Sequence, residues 1–149
     1  MDPPEGIHGV IATSSSLAWG FRSALSKPHD GDSFFMLVDC GFNVCYRAEL
    51  RLDGVRAPEI HPPQPGGLET LEFVNGWLNG VQEAAPRRRW PFWIQVVATD
   101  SYEPGMDLSF TRYVATVWRY GDQSVVQAQS LNFLVNAFLA VHPEWPSGS

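Results

Sequence analysis

The chain has 149 residues, enough for one domain with a single substantial core, and its 44% hydrophobic against 17% charged residues exclude a disordered polyelectrolyte. No apolar run approaches the roughly 18 residues of a membrane span, and Met1 to Gly9 carries Asp2 and Glu5 with no Lys or Arg, the wrong charge for a secretory leader, so no membrane partner and a cytoplasmic location are expected. The net charge of −6 argues against a broadly basic surface for nucleic acid, and any phosphate site must therefore be local.

Residues 1–16 hold Pro3, Pro4, Gly6, Gly9 and three successive serines, and read as a flexible N-terminal arm. In 17–26, Trp19, Phe21, Ser23 and Leu25 alternate with smaller or polar residues, the period of a half-buried strand. Pro28 and the Asp30-Gly31-Asp32 turn end it near Ser26. The runs 34–39 and 44–52 pair as a hairpin across Gly41-Phe42-Asn43. Cys40 and Cys45 flank that turn and are expected as two reduced thiols ahead of a disulfide, which needs an oxidising compartment and suitable geometry. Asp53-Gly54 is a further turn, and Pro58, Pro62, Pro63 and Pro65 make 57–66 an irregular loop.

From 67 to 85 the period changes, with Leu68, Leu71, Val74, Leu78 and Val81 recurring at three and four residues, which predicts an amphipathic helix stopped before Pro86. Arg87-Arg88-Arg89 reads as a solvated turn or as a contact to a phosphate backbone. A strand follows over 90–98, with Trp90 and Trp93 on opposite faces and at least one of them in the core. Another strand is predicted over 112–120, and a second helix over 128–141 places Leu131, Leu134, Val135 and Phe138 on one face before Pro143. Residues 143–149 read as a flexible tail, leaving a domain over 17–142. Strands joined by hairpins, with helices but no βαβ alternation, predict a β-barrel with packed helices, an α+β fold.

Two stretches stand out: Asp30-Gly31-Asp32-Ser33, and the run from Arg51 through Leu52-Asp53-Gly54-Val55-Arg56-Ala57-Pro58 to Glu59. Singly, each is ordinary turn or loop chemistry. Together and in this order they resemble the staphylococcal nuclease-like (thermonuclease) family, whose domain carries a D-G-D-T turn and an R-L-x-G-I-D-x-P-E run. The order of elements also agrees, over about residues 17–140. The resemblance implies a five-stranded, OB-fold-like barrel that hydrolyses phosphodiester bonds in single-stranded DNA or RNA. It implies Glu59 as general base or water-positioner, and Arg51 and Arg112 as clamps on the scissile phosphate. Arg112 is matched because it opens the Arg-Tyr-Val-Ala-Thr-Val-Trp strand, although the D-K-Y-G-R before it in the family becomes Leu108-Ser-Phe-Thr-Arg112 here.

The resemblance also implies calcium, with Asp32 as one carboxylate ligand. The second carboxylate is expected at position 56, which is Arg56. A cation in place of an anion changes the local charge by two units and opposes a divalent ion at any plausible dielectric. Three outcomes follow: a weak calcium site completed by water, a guanidinium that takes over part of the metal's work as a phosphate clamp, or a disarmed domain that binds protein or nucleic acid without catalysis. His29 and His61 sit beside the two motifs, at a spacing that fits no standard metal pattern.

Overall fold

Alternation decides which side of each strand faces inward, and the buried positions follow it. The computed structural model describes residues 9–12, 17–28, 31–100, 112–125 and 128–148. Its strands are β1 (Gly9–Ala12), β2 (Leu17–Pro28), β3 (Ser33–Asp39), β4 (Cys45–Leu52), β5 (Phe92–Asp100) and β6 (Arg112–Arg119). Its helices are α1 (Gly67–Ala84) and α2 (Leu131–Ala140). Phe34, Met36 and Val38 of β3 point inward, as do Ala48, Leu50 and Leu52 of β4, Phe92 and Ile94 of β5, and Ala115 and Val117 of β6. Residues between them, such as Glu49, Arg51 and Arg112, take the other face.

The strands close on themselves. β2 pairs antiparallel with β3 and β3 with β4; β4 runs parallel to β6; β6 pairs antiparallel with β5, and β5 returns to β2. The result is a five-stranded mixed sheet closed in a ring, with β1 added along the first residues of β2. The two helices cover the core. α1 buries Val74, Leu78 and Val81, α2 buries Leu131 and Val135, and Phe73 and Phe138 stack between them with ring centroids 4.5 Å apart. Each such fully buried side chain contributes about 1.5–3 kcal/mol. Among the described residues no helix is long and apolar enough to cross a membrane.

The elements differ from expectation in three places. β1 falls inside the stretch read as a loose arm, because Gly9-Val10-Ile11-Ala12 finds a partner in Leu17 to Gly20. β2 continues to Pro28, which pairs with Phe34 after a register shift between Leu25 and Lys27 that absorbs the disturbance. α2 starts at Leu131 because the Ser130 side chain caps it, accepting a hydrogen bond from the Phe133 amide at 3.1 Å. In the tail, the Gly148 amide donates to the Arg56 carbonyl at 3.4 Å. Trp90 and Trp93 are both buried, and Cys40 and Cys45 are both exposed free thiols.

Candidate functional site

Arg51 and Arg112 reach the same outer face from adjacent strands. The β4–β6 register pairs Glu49 with Arg112 and Arg51 with Val114, so the two arginines stand one residue pair apart on the diagonal. Strand spacing puts their Cα atoms roughly 8 Å from each other. Both are half-buried, and the Arg112 Nε is buried outright. Glu49 stands directly opposite Arg112, two residues before Arg51 on β4, and accepts a hydrogen bond from the buried Ser33 hydroxyl at 3.1 Å. Tyr113, beside Arg112, turns the other way toward the core. Burial raises its phenol pKa above the ordinary 10.0, and the neighbouring Tyr46 adds to the shift.

Gly31-Asp32 and the loop after β4 are held against each other. The Leu52 amide donates to the Asp32 carbonyl at 2.8 Å, tying the half-buried Asp32 to the end of the strand that carries Arg51. Gly31 packs so closely that a Cβ there would lie 2.9 Å from Thr70 Cγ2 and 3.2 Å from Ala57 Cβ. Thr70 is itself fixed, its hydroxyl donating to the Gly66 carbonyl at 2.7 Å. Glu59 is pinned through its backbone: its amide donates to Gln64 Oε1 at 2.7 Å, and its carbonyl accepts from the Gln64 amide at 2.9 Å. The start of α1 closes on the same residue, because a Cβ at Gly67 would come within 2.5 Å of the Glu59 carbonyl oxygen. Only glycine permits that approach.

Asn132 of α2 locks the strand ends that carry the site. Its Oδ1 accepts from the Val117 amide at 3.1 Å, and its Nδ2 donates to the carbonyls of Asp53 and Ala115 at 2.9 and 3.0 Å. It is only 6% exposed, so these bonds replace water almost entirely. Asn136, one turn on, donates to the Gly54 carbonyl at 3.2 Å.

A cavity of about 800 Å³ opens beside this frame, its walls including Arg51, Asp53, Arg56, Thr99, His142 and Trp145. Arg56 is exposed and shares this wall with Arg51. Asp32, Glu59 and Arg112 do not line the cavity. Glu59 instead faces the chain after α2, where a Cβ at Gly148 would stand 3.3 Å from its Oε1. The structure thus joins Arg51 with Arg112 on one face and Arg51 with Arg56 in one cavity, ties Asp32 to Leu52 beside Arg51, and fixes the Glu59 backbone against Gln64 and the start of α1. Asp30, His29 and the Leu108 to Thr111 stretch lie outside the described residues.

The donors at the expected metal position do not fit a resident calcium. Asp32 offers one hard carboxylate, and the position of the second holds a guanidinium. Four supporting residues escaped the sequence reading: Glu49, Gln64, Thr70 and Asn132. Gln64 and Asn132 act on backbone groups far away in the chain or across a loop, and neither periodicity nor motif spacing signals such contacts. No protein-family model matches the chain, and no curated protein matches it.

Proposed function

We propose that the chain is a staphylococcal nuclease-like, OB-fold-type barrel that hydrolyses phosphodiester bonds in single-stranded DNA or RNA, in the cytoplasm. The observation that carries this reading is the convergence of three elements. Arg51 and Arg112 share one face, Asp32 is bonded to the end of β4, and Gly31 and Gly67 are packed against Ala57 and Glu59. In this reading the Glu59 carboxylate takes a proton from the attacking water, and Arg51 and Arg112 neutralise the charge that develops on the phosphate oxygens. Arg56, on the same cavity wall as Arg51, adds a third guanidinium where the family resemblance implies metal ligation.

The test is cleavage of a single-stranded oligonucleotide with calcium and with a chelator. Activity that survives the chelator, and becomes calcium-dependent in Arg56→Asp, fits a guanidinium doing the work of the ion. A second reading, a non-catalytic domain that binds protein or nucleic acid, is favoured by one observation: the residue after Ser147 lies against the Glu59 carboxylate. An inert wild-type protein that gains activity through Arg56→Asp would establish that the site is disarmed at that position.

A further inference from the structure

Far from this site, Arg22, Arg87, Arg88, Arg89, Trp90 and Tyr120 enclose a second cavity of about 570 Å³. β3, seven residues or about 20 Å long by strand rise, separates Asp32 from the Asp39 that borders this region. Trp90 is 9% exposed, and its ring is flanked by the guanidiniums of Arg22 and Arg89, 5.9 and 5.2 Å from the ring centroid. The Arg88 guanidinium lies 5.2 Å from the Tyr120 ring centroid, and its Nη1 donates to the Tyr120 carbonyl at 3.4 Å. Asp39 neutralises Arg22 through a 2.6 Å ion pair. Glu83, near the end of α1, shares a smaller cavity wall with Arg88 and Arg89. The face stays positive on a protein whose net charge is −6.

The guanidiniums of Arg88 and Arg89 lie over the Tyr120 and Trp90 rings, and the exposed Arg87, Arg88 and Arg89 together carry the forked donors suited to bidentate phosphate contacts. Beside them, Phe42 is 102% exposed at the tip of the β3–β4 hairpin, and it lines an adjoining cavity together with Arg22, Arg89 and Trp90. Its φ of 53° is a left-handed conformation that bulky residues adopt at a cost. An apolar ring held fully in water beside a row of arginines matches the stacking platform of a single-strand site, where an unpaired base covers the ring and arginines follow the backbone.

We propose that this face is a second binding site for single-stranded nucleic acid, with Arg87, Arg88 and Arg89 on successive phosphates and Phe42 stacked on a base. The inference does not rest on the hydrolytic reading, and its test is read with cleavage suppressed. Binding of a labelled oligo(dT) 15-mer to the full chain carrying Glu59→Gln is followed by fluorescence anisotropy. Replacing the three turn arginines by Glu is expected to weaken binding at least tenfold. It is also expected to reduce the slope of log K against log salt by about 2, near 0.7 for each phosphate no longer neutralised. Phe42→Ala is expected to weaken the 15-mer several-fold while leaving an abasic 15-mer unaffected. If the charge-reversed protein melts at a lower temperature, the Arg→Gln triple variant gives the same comparison. Unchanged affinity and salt slope in the arginine variants overturn the proposal. So does equal displacement of the 15-mer by inorganic pyrophosphate or polyglutamate with no effect of Phe42→Ala, since the face would then be a general anion site.

Discussion

At the scale of single residues, charge is placed by strand register rather than by sequence distance. Arg51 and Arg112 are far apart in the chain yet adjacent in the sheet because β4 and β6 run parallel with Glu49 opposite Arg112. Their neighbour Tyr113 reports on the same wall from inside. Its phenol is raised first by burial and then by Tyr46, whose ring meets it edge-on at 6.2 Å between centroids. Because the folded pKa exceeds the unfolded one, the folded state holds a proton that the unfolded state releases. The associated stability is complete below pH 10.0 and is lost as pH rises through the folded value. A ¹³C-tyrosine titration should therefore place Tyr113 above 10.0, and Tyr46→Phe should bring it partway back. A Tyr113 midpoint at or below 10.0 would contradict this account of the wall.

At the scale of elements, two contacts hold the site together. Asn132 ties α2 to β6 and to the turn after Arg51 through three hydrogen bonds, the two to β6 buried and the one to Asp53 part-buried. Asn132→Ala takes a partner from the Val117 amide and the Asp53 carbonyl, while the Ala115 carbonyl keeps the Asp53 amide at 2.9 Å, at about 1–3 kcal/mol per buried polar group left unsatisfied. Chemical denaturation should show a loss in that range or above it with an unchanged m-value; a loss under about 0.5 kcal/mol would mean that water replaces the side chain easily. Gly31 makes the second contact. Gly31→Ala drives a methyl group into Thr70 and Ala57, and overpacking of this kind costs about 1–3 kcal/mol. Cleavage should fall along with stability, because the displaced residues carry Asp32 and the loop to Glu59. Full activity in Gly31→Ala would separate the turn from the site.

At the scale of the whole molecule, the ring is the part that was most legible in the chain. The apolar run at 34–39 and the alternation over 44–52 form the expected hairpin, and of the helical positions Leu68, Leu71, Val74, Leu78 and Val81 the last three are buried while Leu68 is exposed. These are short-range signals, and tertiary structure reinforced them. The contacts at the ends carry no short-range signal. Gly9–Ala12 is too short to announce itself until β2 offers an edge, and Gly148 is positioned by the Arg56 carbonyl, a partner distant in sequence. The candidate site was legible as a set of motif residues but not as an arrangement. Nothing in the spacing from Arg51 to Glu59 indicates that Arg56 lines a cavity with Arg51 while Glu59 lies outside it. The turn arginines were visible as a charged run, but the approach of Arg88 and Arg89 to the Tyr120 and Trp90 rings depends on how β5 and β6 meet.

The central claim is that this frame performs phosphodiester hydrolysis with Glu59 as the proton acceptor. The most direct measurement compares the initial rate of single-strand cleavage by wild-type protein and by Glu59→Gln, which keeps the side chain's size and removes its basicity. We expect cleavage by the wild type and a loss of about 10²–10⁴-fold in the variant, the usual contribution of general-base catalysis. A wild-type protein inert toward single-stranded DNA and RNA across calcium, magnesium and manganese, or a variant as fast as the wild type, would contradict it.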